Sequence, residues 1–172
     1  MSVQESIVEQ GRIVVGVDGS TQSRHALRWG AYLAETMGCT LEAIGAWHVP
    51  AVYGWGDAGW AGAAGQFNLD ELTRKVLTDT VTEVFGDRRP AGLTMRIGQG
   101  DAARVLIDAS REASMLVLGN RGHGGFTDLL LGSVSAACSR HANCPVLIVH
   151  GDGLPPAAAV SAAEVRDVAP VG

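Results

Sequence analysis

The sequence predicts an α/β fold built on an open, doubly wound parallel sheet of five strands. Two observations carry this. Short runs rich in β-branched residues alternate strictly with segments of helical apolar spacing, giving the order βαβαβαβαβ over residues 13–149. Glycines stand at the ends of the apolar runs, where strand hands over to helix. Parallel strands need a crossover, and right-handed crossovers put helices on both faces of the sheet. Five strands are too few to close a barrel of eight.

The first strand is residues 13–17, β-branched and closed by Asp18-Gly19-Ser20; it reads as buried on both faces. Leu27, Gly30, Ala31, Ala34 and Met37 then recur at helical spacing, with Ser20, Thr21 or Ser23 as N-cap and Gly38 as C-cap. Residues 41–47 form a second apolar run that Pro50 ends. Leu69, Leu72, Val76, Leu77 and Val84 mark a second helix that stops at Gly86. Residues 93–97 are a third strand, and Ala102, Val105, Leu106, Ala109 and Ala113 lay out a third helix after Gly100-Asp101. A fourth strand, 115–118, runs into the glycine-dense stretch 119–125. A helix over about 133–141 and a last strand, 146–149, follow.

The chain of 172 residues is 47% hydrophobic and 18% charged, which suits one domain with a proper core and excludes a disordered or coiled-coil chain. Its net charge of -5 has the wrong sign for broad binding to nucleic acid phosphates. No stretch approaches the roughly 18 to 20 consecutive apolar residues of a membrane-spanning helix. Residues 1–12 carry Glu5 and Glu9 without an apolar core, so they read as an N-terminal extension and not as a secretory signal; a cytoplasmic location is expected. Cys39, Cys138 and Cys144 are too few and odd in number for a disulfide scaffold. The domain proper is residues 13–150. Within it, residues 51–65 form a Gly-rich loop insertion with Trp55 and Trp60, a surface excursion or a lid over a bound base. Residues 151–172 lack periodicity and are expected to be a loosely ordered tail.

In an open α/β sheet a ligand binds beyond the carboxyl ends of the strands, where the winding reverses. With the first strand central and a strand order of 3-2-1-4-5, Asp18 and Gly119 face each other across that crevice. The second loop has a definite spacing: Gly119, two residues, Gly122, nine residues, then Gly132-Ser133 at the start of a helix. Glycines let backbone N–H groups close on an anion, and the helix N-terminus adds unpaired donors and partial positive charge. Phosphate is the expected anion. There is no Gly-x4-Gly-Lys-Ser/Thr loop, no Gly-x-Gly-x-x-Gly after the first strand and no His-Glu-x-x-His. Asp18 can serve the ligand, cap the following helix, or do both. Cys138, His141 and Cys144 have the residue types of a zinc site but lack a fourth ligand nearby, so they read as core, helix-end and strand-start residues. His25, His48 and His150 are isolated, with no nucleophile and orienting carboxylate beside them.

On these residues the chain resembles the universal stress proteins of the nucleotide-binding type, over about residues 13–149. The family's Gly-x2-Gly-x9-Gly-Ser/Thr motif stands intact as Gly119, Gly122, Gly132 and Ser133, and its acidic residue after the first strand as Asp18. The resemblance implies a Rossmann-like fold of the adenine nucleotide alpha hydrolase kind, ATP as ligand with Mg²⁺ held mainly by phosphate oxygens, and a homodimer formed through the last strand. It implies that Gly16, Val17 and Asp18 lie beside the adenosine and Ala46 against adenine. Leu118, Gly119, Arg121, Gly122, Gly132, Ser133, Val134 and Ser135 would line the ribose and phosphates. The loop at 51–65 and the tail fall outside the shared pattern, and Arg121 and His123 occupy variable positions. The expected activity is that of a regulatory stress-response module with protein partners, in which bound ATP favours one conformation. The alternatives are a slow ATPase, for which no carboxylate or Gln is clearly placed to orient water, and a scaffold that binds AMP, cyclic AMP or no nucleotide.

Overall fold

In a computed structural model, which describes residues 10–48, 68–122 and 131–156, β1 (Arg12–Gly16) is the central strand of a five-stranded sheet. The strand order is β3-β2-β1-β4-β5, all neighbours parallel, with β2 at Thr40–Trp47, β3 at Leu93–Gln99, β4 at Met115–Gly119 and β5 at Val146–Val149. The parallel, doubly wound sheet is the one that the alternation predicts, and its order is the one on which Asp18 and Gly119 face each other. The helices are α1 (Thr21–Met37), α2 (Leu69–Phe85), α3 (Ala102–Ala109) and α4 (Ser133–His141).

Period-2 alternation along each strand splits the core into two layers. Ile13 and Val15 of β1 pack with Leu27, Leu41, Leu77, Val81 and Val117 on the α1 and α2 side. Val14 packs with Ile44, Leu106, Leu116, Leu118 and Cys138 on the α3 and α4 side. Ile13, Val14 and Val15 are all fully buried, so each contributes about 1.5–3 kcal/mol. Gly30 lets α1 lie directly on β1, since a Cβ there would stand 2.4 Å from a Val15 methyl. Ser20 caps α1 by accepting from the Ser23 amide, and Gly38 closes it in the left-handed conformation at φ 65°.

Three details differ from the sequence pattern. Leu72, one of the residues that mark α2, is 55% exposed; the face that α2 buries runs through Leu77, Thr80 and Val81. The third helix stops at Ala109, short of Ala113, and continues as a 3-10 turn at Ser110–Glu112. There the Ser110 hydroxyl donates to Ile107 O (2.6 Å) and accepts from the Asn143 amide (2.8 Å), which tightens the last turn and leaves Ala113 extended. The apolar run of β2 also carries a buried Glu42, paired with Arg12 (3.2 Å) and Arg96 (2.8 Å). Arg12 reaches on to Ala109 O at the C-terminal end of α3, where a cation meets the negative end of the helix dipole.

Beyond β5 the chain turns back over α1. His25 Nδ1–H donates to Gly151 O (2.7 Å), Trp29 Nε1–H donates to Gly153 O (2.9 Å), and Pro155 is buried. The first six residues of the expected tail are therefore fastened to the helix layer, while residues 157–172 lie outside the described residues, as does the insertion with Trp55 and Trp60.

Candidate functional site

β1 and β4 are neighbours at the centre of the sheet, with Val15 opposite Val117, so the turns that follow them leave the sheet side by side. After β1 the chain keeps to β2 for one more bond, Val17 N–H to Ile44 O (2.8 Å), before Asp18 turns it. Asp18 Oδ1 accepts from the Ser20 amide (3.0 Å) and the Ser20 hydroxyl (2.6 Å). Asp18 thus does not cap α1 itself. It orients Ser20, which does.

The β4 turn meets this carboxylate. A Cβ on Gly122 would lie 2.4 Å from Asp18 Oδ2, so the absence of a side chain at 122 is what allows the two strand ends to approach. A Cβ on Gly119 would lie 2.7 to 2.9 Å from Gln22, two of the three contacts being Gln22 backbone, so the first turn of α1 is seated directly on Gly119. The loop is then tied on three sides. Asn120 N–H donates to Val149 O (2.9 Å), Gly132 N–H donates to Asn120 O (2.8 Å), and the buried Ser135 hydroxyl donates to Gly119 O (2.7 Å). The second of these closes the two ends of the glycine loop onto each other.

At the head of α4, Gly132 is the N-cap and offers no side-chain acceptor; Ala136 N–H already returns to Gly132 O (2.8 Å). The amides of Ser133, Val134 and Ser135 are the donors that a helix start leaves over, and they carry its partial positive charge. Ser133 is exposed at the opening. Two buried polar atoms beside it, Asn120 Oδ1 and Arg121 Nε, have no hydrogen-bond partner in the described structure. Amides and a guanidinium suit the oxygens of an anion such as phosphate, whereas Asn120 Oδ1 only accepts and suits a hydroxyl donor.

The structure therefore gathers Asp18, Gly119, Arg121, Gly122, Gly132, Ser133, Val134 and Ser135 at one crevice. Gly16, Val17 and Leu118 stand at its base, but Val17 and Leu118 are 6% and 3% exposed and bury their side chains in the two core layers. Only backbone remains there to meet a ligand. Ala46 sits at the carboxyl end of β2, half-buried, on the neighbouring strand. Residues 123–130 lie outside the described residues, and His123 with them. Gln22 and Asn120 are the participants that sequence reasoning missed, while Ser20 was read as one of three candidate N-caps without its tie to Asp18. For Ser20 the signal was present, since Asp-Gly-Ser before a helix is an Asx turn leading into a cap.

The Cys138, His141 and Cys144 cluster takes another course. Cys138 is fully buried with its thiol toward Ala103 O (3.9 Å), and burial, reinforced by the Asp101 carboxylate, pushes its pKa up to about 11. Burial also raises Cys144, partly offset by a backbone hydrogen bond with Leu116. Among the described residues no group of three His, Cys, Asp or Glu is placed to hold a metal ion.

A family model described as the universal stress protein family matches residues 10–150. A universal stress protein of Mycolicibacterium smegmatis is 35% identical over 158 residues, covering 86% of this chain and 50% of that protein. The chain spans about half the length of the curated relatives it matches. Among solved structures, a universal stress protein in complex with cAMP is 26% identical, with 83% of this chain and 98% of that one covered at a TM-score of 0.56. The universal stress protein UspA from Lactobacillus plantarum, at 18% identity, shares the fold at a TM-score of 0.67 over 81% of this chain and 97% of its own. With a match that spans the sheet from the start of β1 to the end of β5, the chain belongs to the universal stress protein family.

Proposed function

We propose that the protein is a nucleotide-binding regulatory module that takes ATP in the crevice beyond β1 and β4 and presents the loaded loop to a protein partner. The observation that carries this reading is the open head of α4: three leftover amides follow Gly132, which lies against the Arg121 backbone, next to the close approach of Gly122 to Asp18. The phosphates sit on these amides and on the Ser133 hydroxyl. The adenosine lies toward Asp18 and Ala46, over the backbone of Gly16 and Val17. Mg²⁺ comes with the triphosphate and is coordinated mainly by its oxygens.

Binding acts on the loop through its ties. Asn120 hangs from β5 and closes onto Gly132, so a ligand bridging 119–122 and 132–135 favours the closed arrangement over an open one by its difference in affinity for the two. The family and the fold leave room for a second reading, in which AMP or cyclic AMP is the physiological ligand; the related structure in complex with cAMP favours it. The adenosine contacts are the same in both, and only the number of phosphates differs. The proposal includes a cytoplasmic location and pairing of two copies through β5, whose outer edge has no strand partner among the described residues. No helix among the described residues is long and apolar enough to cross a membrane.

The test is to purify the protein, denature it and identify the small molecule released. An adenine nucleotide in near-stoichiometric amount supports the proposal, and its phosphate count selects between the two readings. A protein that releases no nucleotide and shows no saturable binding of ATP, AMP or cyclic AMP contradicts both.

A further inference from the structure

At the end of the sheet opposite the crevice, α1 and α2 part to leave an open groove of about 650 Å³. Its floor is apolar: Ala34 and Leu41 are 4% and 1% exposed, with Tyr32 and Phe85 beside them. Two guanidinium groups, Arg28 and Arg88, line it as well, and neither takes part in an ion pair among the described residues. Glu35 lines the groove too, so its apolar floor carries one positive charge in excess.

The chain delivers its own complement to this place. The strap after β5 is pinned to α1 at Gly151 and Gly153, and Pro155, buried, forms part of the groove wall. Residues 157–172 continue from that wall. They carry Val160, Val165 and Val168, which suit the floor, and Glu164 and Asp167 around a single Arg166, an excess of one negative charge that matches the groove's excess of one positive. From these observations we infer that the groove is the docking site of residues 157–172 of the same chain. Reach is ample, because even at the 1.5 Å per residue of a helix the segment extends about 24 Å. The tether also lowers the affinity needed. A short linker gives an effective concentration in the mM range, so an intrinsic dissociation constant of about 0.1 mM fills the groove roughly ten times in eleven. Docking there balances the groove's excess positive charge and covers the apolar floor. Release of the segment uncovers a basic and apolar surface on the face away from the crevice.

Cys39 lines the same groove and reports on its occupancy. In the full-length protein, alkylation of Cys39 by iodoacetamide is followed by peptide mass spectrometry, with Cys144 as the internal reference. The variants are Glu164→Lys with Asp167→Lys, Arg28→Glu with Arg88→Glu, and all four together. The two arginine changes alter the field at Cys39 directly, so the tail reversal is read within each background. It is expected to speed Cys39 several-fold in the wild-type background and to slow it in the Arg28→Glu, Arg88→Glu background, with Cys144 unmoved. A tail reversal without effect on Cys39 in either background overturns the inference. So does an effect that disappears on dilution, which assigns the groove to the tail of a second copy.

Discussion

One oxygen of the Asp18 carboxylate holds the Ser20 amide and hydroxyl, while the other faces the place a Gly122 side chain would fill. A single residue therefore joins the cap of α1 to the phosphate loop, and the sequence motif showed both residues without showing that link. Cys138 illustrates a different balance. Burial raises its pKa from 9.0 to about 11, so the folded state holds a proton that the unfolded chain gives up. The stabilisation is fully present below about pH 9 and is lost as pH rises through about 11. The loss over that interval is on the order of 2 kcal/mol. Urea unfolding followed across this range is expected to show a fall in stability that Cys138→Ala flattens; parallel pH profiles for the two proteins would refute the assignment.

At the scale of elements, the seat of α1 on β4 governs the geometry of the crevice. Gly119→Ala places a methyl against the Gln22 backbone, which cannot swing aside as a side chain would. Overpacking of this kind costs about 1–3 kcal/mol. The N-terminus of α1, with Ser20 and Asp18, must move with it. Both a lower melting temperature and weaker nucleotide binding are expected, and a variant that matches wild type in thermal unfolding would show that the contact yields. Apolar spacing sufficed to locate the strands and helices here, because each buries a continuous stripe. It failed where burial depends on what a neighbour covers. Leu72 lies on the α2 face that no element among the described residues covers, and Glu42 is buried because Arg12 and Arg96 close over it from the adjoining strands. A one-dimensional pattern holds no information about either neighbour. Ala113 failed for another reason: the Ser110 hydroxyl, by bonding locally to Ile107 O, ends the helix before the apolar period does.

For the whole molecule, strict alternation of strand and helix was enough to predict a parallel, doubly wound sheet; the strand order entered as the arrangement that brings the ends of the first and fourth strands together, and the sheet has that order. The spacing from Gly119 to Ser133 identified the loop. It did not reveal that Ser135 commits its hydroxyl to Gly119 O, nor that Val17 and Leu118 give only backbone to the crevice, because these depend on which side of a strand faces the core. Nucleotide bound at one such crevice stabilises the fold by mass action, about 2.7 kcal/mol at a hundredfold excess over the dissociation constant.

The most direct measurement is isothermal titration of the intact protein with ATP and magnesium, alongside Gly122→Ala. A methyl at 122 meets the Asp18 carboxylate, a side chain and not backbone, so the variant is expected to fold, with a modest loss of thermal stability because the same carboxylate holds Ser20. The account predicts saturable single-site binding to the wild type and at least about a tenfold loss, roughly 1.4 kcal/mol, in the variant. Wild-type protein that gives no heat with ATP, AMP or cyclic AMP, or a variant that binds as tightly as wild type, would contradict it.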